Sequence, residues 1–444
     1  MVIVRKTLLL CGVIVLAVPA AAQSPEHLHG LASRRVYDGP SLTLTAAIDE
    51  ALRRNPELIA LRHQFDAARK RPAQERFLMP PSFEAQIWQW PLTTVNPLNT
   101  NMYMFTMQQE LPGRGKRELR AAAAEKDVEL ASVEIAARAR EVINEVQRAY
   151  IDLALARKAI DIHLESVGLL RQFADVSTVK YAAGRSSQQD VLKSVVELSK
   201  LHEDLVLHEE SSAAATARLN TLLDREPEAL IGPVDELREN ISTPTTDELQ
   251  RLALAQQPEL RAAGLGVERA QAVAAVIDGE YKPDFFVGGG YMLIPRSAGA
   301  WTASAGLTWP NAPWSRGRLD AQKAEAAANV DAATARERVV ERQIRLAVHD
   351  AYIRVQGAGQ RAALLKTTVV PQSQQTMEVS RVAYQADRGD FLSVIDNQRA
   401  LLDAQLSYFR ALGDRELALA DLSRAVGANL PDTASAASTS EVAR

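Results

Sequence analysis

The 444 residues carry 51 Lys and Arg against 55 Asp and Glu, a net charge of −4 with no basic block, which excludes a nucleic-acid surface built on phosphate neutralisation. A single cysteine, Cys11, excludes a disulfide framework. Aromatic content of 5% beside abundant alanine suits close-packed helices better than a large aromatic core.

Residues 1–22 read as a secretion signal. Arg5 and Lys6 form a basic start, positions 7–18 are mostly apolar, and Ala20, Ala21 and Ala22 offer a small-residue cleavage site. The apolar run falls short of the about 20 residues a membrane-spanning helix needs. Cys11 lies inside it, poorly placed for lipid attachment, so the mature chain is expected to be cysteine-free. Removing 1–22 takes away two bases, Arg5 and Lys6, and no acid, which moves the net charge from −4 to −6. Residues 23–40 form a polar lead-in whose His27 and His29 are too few to make a metal site.

Residues 41–230 form a first unit. The stretch 43–71 reads as a short helix carrying Asn55, Pro56, Glu57 and Leu58. Two candidate strands follow. Phe83, Ala85 and Ile87 alternate with Glu84, Gln86 and Trp88, and over 102–110 Tyr103, Phe105 and Met107 alternate with Met102, Met104, Thr106 and Gln108. Thioethers suit Cu(I), but strand alternation sends Met107 to the face opposite Met102 and Met104, so all three read as packing.

The proline-free run 114–225 reads as one long helical hairpin. Val142, Val146, Ala149, Leu153, Ala156, Ile160, His163, Val167 and Leu170 alternate in steps of four and three, a period of about 3.5 that marks a left-handed coiled-coil seam. Tyr181 to Ser187, with Gly184, breaks the pattern, and Val191, Val195, Leu198 and Leu205 resume it. The roughly 65 residues before the break would span on the order of 100 Å, so the protein is elongated.

Residues 231–246, with Gly232, Pro233 and Pro244, read as a linker, 247–430 as a second unit, and the small, polar 431–444 as a disordered tail. The second unit repeats the first. Asn55, Pro56, Glu57 and Leu58 correspond to Gln257, Pro258, Glu259 and Leu260, and Val146, Ala149 and Tyr150 to Val348, Ala351 and Tyr352, at an offset of 202. One residue further on, Tyr181, Val191 and Leu192 fall on Tyr384, Val394 and Ile395. A tandem duplication follows. Its strands are Phe285–Leu293, with Gly288, Gly289 and Gly290, and 301–309. In the latter, Trp301, Ala303, Ala305, Leu307 and Trp309 alternate with Thr302, Ser304, Gly306 and Thr308.

That alternation is the pattern of a membrane β-strand with one face to lipid and one to a wet lumen. It fits a small soluble sheet capping the coiled coil equally well. Four strands cannot close a membrane barrel, which needs about eight, and open edges are not tolerated in lipid. If the strands are membranous, several chains share one barrel.

Signal, duplicated halves, two strands per half and long hairpins together resemble the outer membrane factor (TolC-like) efflux channels. The segment 108–117, containing Leu111, Pro112, Gly113, Arg114, Gly115, Lys116 and Arg117, is similar to the strand-to-helix junction of the heavy-metal branch. Pro310, Pro313, Trp314, Arg316 and Arg318 occupy the equivalent place in the second half, and Tyr181, Gly184, Asp190, Val191 and Leu192 form a family-like hairpin turn.

The resemblance implies a mainly α protein with a small β part. It implies a homotrimer in the outer membrane, with four strands per chain in a 12-stranded barrel continued by a periplasmic α-helical tunnel. It further implies a passive duct for toxic small molecules or heavy-metal cations, joined by a periplasmic adaptor to an inner-membrane resistance-nodulation-division pump. Such channels close at the hairpin tips and open by untwisting the inner hairpins. Asp190, Tyr384 and Asp396 match the family's gate residues. The glycine of the second turn is replaced by Asp387, the gate arginine is displaced to Arg388, and Ser393 stands at an acidic position. Gly184 and Gly389 lie in the two hairpin turns, and Arg388 or Tyr384 is expected to pair with Asp190 across protomers.

Each gate residue also has a plain reading. Asp190 is an acid at a helix start, Tyr384 closes a helix end, and Asp396 is a solvated helix charge. No Gly-x-Ser-x-Gly elbow, His-Glu-x-x-His helix or phosphate loop is present, so the reading is a non-enzyme without metal or cofactor. The alternative to the channel is a periplasmic coiled-coil adaptor or scaffold with no membrane barrel.

Overall fold

The structure is a computed structural model. It describes residues 37–89, 93, 96, 100–238, 244–295 and 297–430. The expected signal 1–22, most of the lead-in with His27 and His29, and the tail 431–444 lie outside the described residues.

Where a single short helix is expected over 43–71, three form: α1 (Leu44–Arg54), α2 (Pro56–Ala68) and α3 (Arg71–Arg76). The break has a local cause. Asn55 Oδ1 accepts from the amides of Glu57 (3.0 Å) and Leu58 (3.3 Å), and Pro56 needs no amide partner at a helix start. Strands β1 (Ser82–Trp88) and β2 (Met102–Leu111) follow, then α4 (Lys116–Ala182) and α5 (Gln188–Leu222). The second half repeats the order with α6 (Thr246–Gln256), α7 (Pro258–Gly279), β3 (Phe285–Leu293), β4 (Ala300–Leu307), α8 (Arg316–Leu364), α9 (Val370–Gln385) and α10 (Phe391–Val426). β4 ends at Leu307, so Thr308 and Trp309 fall outside the strand expected there.

The first hairpin behaves as its periodicity predicts. Of the nine seam residues on α4, eight are fully buried and Ala156 is half-buried. On α5 the expected apolar face is displaced: Val195 is exposed, and the buried stripe runs through Ser194, Glu197, Leu201 and Leu205. The second hairpin departs from a plain pair of helices, because a π-helical turn (Leu365–Val369) separates α8 from α9.

The duplication is visible in the core. Ala47, Ala51, Val142, Val146, Ala149 and Leu153 share one buried cluster. Leu249, Ala253, Ile344, Val348, Ala351 and Val355, each 202 positions later, share another. A third cluster joins the two hairpins near their tips through Leu170, Phe173, Met377, Tyr384, Phe391 and Val394. The segment after α5 is strapped down: the Arg157 guanidinium donates to the carbonyls of Ile231 (2.7 Å) and Gly232 (2.5 Å). The strands form one antiparallel sheet in the order β1-β2-β3-β4, so the halves meet at the β2–β3 ladder and β1 and β4 are its edges.

Candidate functional site

The sheet has two unlike faces. Reading across the register, one face carries the rows Phe83–Met107–Gly289–Ala303 and Ala85–Phe105–Tyr291–Trp301. The other carries Ser82–Gln108–Gly288–Ser304 and Glu84–Thr106–Gly290–Thr302. Large apolar side chains on the first face stand in the open: Phe83 is 75% exposed and Trp301 83%, with Phe105, Met107, Val287 and Leu307 also exposed. Tyr291 and Trp301 meet edge to face at 5.1 Å between ring centres. The glycines on the second face permit close approach, since a Cβ at Gly290 would stand 2.4 Å from the Phe105 carbonyl oxygen and one at Gly288 2.7 Å from Ser304 Oγ. Met104 lies directly across the ladder from Met292, and Met107 is on the opposite face. No described helix is long and apolar enough to cross a membrane.

At the junction of sheet and helices, the Gly-rich segment after β2 delivers Lys116, 2% exposed, into a charged knot. Its ammonium donates to Glu280 Oε2 (3.0 Å) and Asp284 Oδ2 (2.9 Å), and Arg120 holds the other oxygen of Glu280 (2.7 Å). The Gly113 amide completes Asp284 at 2.7 Å. Gly115 turns the chain at φ +85°, and a Cβ at Gly113 would meet the Pro283 carbonyl at 2.5 Å. Burial pushes the Glu280 and Asp284 carboxyls up, but hydrogen bonds from Lys116, Arg120 and Gly113 outweigh it and hold both below the usual carboxylate range. The motif that carries the family resemblance is therefore the clamp that ties α4 to α7 and β3.

At the far end, the two hairpin turns lie side by side. Ser187 caps α5 by accepting from the Asp190 amide (3.3 Å), and Asp190 Oδ2 accepts from Ser186 Oγ (3.1 Å). Asp190 is thus a first-turn acid and Ser187 the cap. Tyr384 is buried against Phe391, with ring centres 5.3 Å apart. Its hydroxyl lies beside Ser186 without a hydrogen bond of full geometry, and burial raises its pKa.

Lys180, at the end of α4, ties the two hairpin turns together, with Arg185 3.9 Å from the same Asp387. Its ammonium donates to Asp387 Oδ1 (2.6 Å) and to the Tyr384 carbonyl, and lies 4.2 Å from the centre of the Tyr384 ring. The hydrogen bond from Lys180 holds the Asp387 carboxyl below its usual range. Gly184 (φ +69°) and Asp387 (φ +58°) are the left-handed residues of the two turns. Aspartate tolerates that conformation. Gly389 packs in the second turn, where a Cβ would meet the Tyr384 amide nitrogen at 3.0 Å.

Arg388 is exposed, and within one chain no bond among the described residues joins it, or Tyr384, to Asp190. Asp396 is exposed and lies 3.7 Å from Arg399, whose guanidinium is engaged mainly by the buried Glu197. Lys180 and Glu197 were not singled out from the sequence, and Lys116 was marked only as part of the 108–117 segment. Each pairs with an acid or base at least 160 positions away, so its own neighbourhood does not reveal the partner. Among the described residues no three His, Cys, Asp or Glu side chains form a ready cation cage.

Comparison with known proteins gives a consistent picture. The family model described as "Outer membrane efflux protein" matches residues 47–225 and 249–428. The chain is 25% identical over 393 residues to the cobalt-zinc-cadmium resistance protein CzcC of Cupriavidus metallidurans, covering 88% of this chain and 90% of that one. Its fold is shared with the outer-membrane channel OprN (20% identity, TM-score 0.72, 89% and 93% of the two chains). It is shared equally with CusC (16%, TM-score 0.72, 90% and 97%), whose structures concern transmembrane channel formation. The outer membrane protein VceC of Vibrio cholerae is a third match (17%, TM-score 0.72, 87% and 97%).

Proposed function

This chain belongs to the outer membrane efflux protein family, and on that footing we propose that it is the outer-membrane exit duct of a tripartite efflux system in a Gram-negative cell. Three chains each contribute β1–β4 to one 12-stranded barrel, and the long helices continue it through the periplasm as a tunnel. The division into units 41–230 and 247–430, with 231–246 between them, belongs to the same reading.

The observation that carries it is the sheet. One face exposes a continuous apolar surface through Phe83, Phe105, Val287 and Trp301. The other carries Glu84, Gln86, Thr106, Gln108, Thr302 and Ser304, with Trp88, Met102, Met104, Met292 and Phe286 on the same face toward its ends. Lipid is the solvent for the first face and water for the second. The edges at β1 and β4 are intolerable in lipid unless another chain pairs with them, and four strands are too few to close alone.

A periplasmic adaptor meets the hairpin tips, and an inner-membrane resistance-nodulation-division pump supplies the energy. Likeness to a cobalt-zinc-cadmium resistance protein over most of the chain supports heavy-metal cations as cargo. The gate is the tip assembly: Lys180 latches the second turn to the first within a chain, while Asp190 and Arg388 face neighbouring protomers and Tyr384 packs inside the chain beneath them. Three copies of Asp396 would then form an acidic constriction that favours cations. A duct of this kind requires no catalytic group, cofactor or resident metal.

The test is fractionation of cells expressing the full chain, with an alkaline wash and a density gradient. Recovery in the washed outer-membrane fraction supports the duct. Recovery as soluble periplasmic protein refutes it and favours a coiled-coil scaffold.

A further inference from the structure

The seam of α4 contains one residue that does not belong in an apolar interface. His163 is 2% exposed, and neither of its ring nitrogens has a hydrogen-bond partner among the described residues. The other eight seam positions carry Val, Ala, Leu or Ile. A neutral imidazole is tolerated in such surroundings at a modest cost. An imidazolium is not, because a buried charge needs an opposite charge or water beside it.

The neighbours make a proton still less welcome. The His163 ring lies 4.6 Å, centre to centre, from that of His208 on α5, with the planes inclined at 44°. At that separation a charge on one ring opposes a charge on the other. His208 is half-buried and lines a cavity of about 350 Å³ between α4, α5 and α10, walled by Leu155, Ile162, Leu406 and Phe409. Charged groups reach the pair from all three helices. On α4, Asp152 lies at the cavity edge, and the Lys158 ammonium stands 4.8 Å from the centre of the Phe409 ring. On α5 the charge is Asp204, one helical turn before His208. On α10, Arg410 edges the cavity, and Asp403 lies two turns before it. Burial is the largest influence on both rings and pushes both pKa values down. His208 lowers that of His163 further and Arg410 lowers both, while Asp204 on both rings and Asp403 on His163 oppose the shift without reversing it.

We infer that His163 and His208 form an acid-sensitive joint in the first hairpin: with both rings neutral, α4, α5 and α10 stay closed over the seam, and a proton on either ring opens them to water. In the opened chain the imidazoles titrate near 6.5, whereas the closed pair takes up protons only at lower pH. The joint is therefore at full strength above about pH 6.5 and weakens as pH falls below it, until the lower values of the closed state are reached. Across that range each histidine that stays neutral while closed favours opening by up to about ten-fold per pH unit. Asp152 acts with the opposite sign. Burial raises its carboxyl, so its protonation on acidification favours the closed state. The joint lies roughly 28 Å from the hairpin turn. It sits within one chain and does not depend on the duct reading.

The experiment is hydrogen–deuterium exchange of the full chain in detergent at about pH 7.5 and about pH 5.5, with exchange times scaled for the intrinsic effect of pH. In wild type, opening of segments 155–170 and 200–212 is expected to rise about ten-fold at the lower pH, while segment 116–130 at the Lys116 clamp stays protected. The clamp carboxyls, held below their usual range, are still ionised there. The His163→Leu/His208→Leu variant should lose the response, and it keeps Asp152 and every other charge as an internal control. Leucine suits the apolar seam, so the variant should fold. Protection of 155–170 and 200–212 that does not change with pH in wild type overturns the joint, as does a rise spread evenly over the whole chain. Both of these readings need no variant. An equal acid response in wild type and the double variant assigns the opening to other groups and overturns it too.

Discussion

A lysine placed on each face of β4 separates a membrane sheet from a soluble one. Ala303 and Ser304 are neighbours in the middle of the strand, Ala303 in the apolar row with Phe83 and Met107, Ser304 in the polar row with Ser82 and Gln108. Eight residues at about 3.3 Å each make the strand about 26 Å long. Tilted by about 40°, it covers roughly 20 Å of an apolar band about 25 Å tall, which puts its centre close to the bilayer midplane. Lysine facing lipid at that depth costs about 2–4 kcal/mol, a factor of roughly 30 to 700 in the folding equilibrium. Lysine at 304 faces water and carries no such penalty. The assay is urea unfolding of each variant after refolding into lipid vesicles, with Ala303→Lys expected to lose that stability and Ser304→Lys to stay near wild type. Equal midpoints for the two variants would refute the assignment of the faces, because a soluble sheet accepts either lysine alike.

Three other outcomes follow from the charged contacts. Lys116→Met should destabilise the chain by about 3 kcal/mol, the low end for breaking a buried ion pair, since Glu280 keeps Arg120 and both acids are about one-third exposed. Adding Glu280→Gln and Asp284→Asn should recover most of that loss, and an unchanged urea midpoint in Lys116→Met would contradict the clamp. The same carboxyls have depressed pKa values when folded. Their contribution is complete above the unfolded values near 4 and is lost as pH falls through the lower folded ones, so melting temperature should drop more steeply below about pH 4.5 in wild type than in Lys116→Met. At the tips, Lys180→Met should raise single-channel conductance by freeing the second turn, and Asp190→Ala or Arg388→Ala should do so by removing contacts between protomers. Conductance unchanged in all three would remove the tips as the gate.

What the sequence disclosed depended on how local the physics was. The α4 seam was legible because helix period and burial coincide there, with His163 its one polar exception. The α5 stripe was not, because its buried positions Ser194 and Glu197 are polar. Their burial is set by tertiary contacts, and for Glu197 by Arg399 in the other half. Strand alternation was enough to divide the sheet into faces, and the register agrees residue by residue. It could not reveal that β2 pairs with β3, which takes the chain across the boundary between the repeats. The break at Asn55 was overlooked because a helix start inside an amphipathic run looks like continuity unless the cap and Pro56 are weighed together. Lys116 stood out only as one member of the 108–117 segment, with no role of its own, and Lys180 not at all. Only partners supplied from 164 to 207 positions away turn them into a clamp and a latch.

The two hairpins, alike in sequence pattern, differ mechanically. α4 is a single helix of 67 residues, so a displacement at its tip is carried along an unbroken ladder of hydrogen bonds to the clamp at Lys116. The matching arm of the second hairpin is interrupted by the π-helical turn Leu365–Val369, and Pro371 follows with no amide to offer the carbonyl of Thr367. Bending is cheapest where the ladder is already imperfect. The arm beyond the turn, α9, is 16 residues or about 24 Å long, and it ends at Tyr384 and the second turn. A lever hinged at 365–369 has its free end where Lys180 holds Asp387 and the Tyr384 carbonyl. Lys180 thus ties the arm whose ladder is interrupted to the one whose ladder is unbroken, and it does so at the far end of the lever, where a small force resists rotation with the greatest effect.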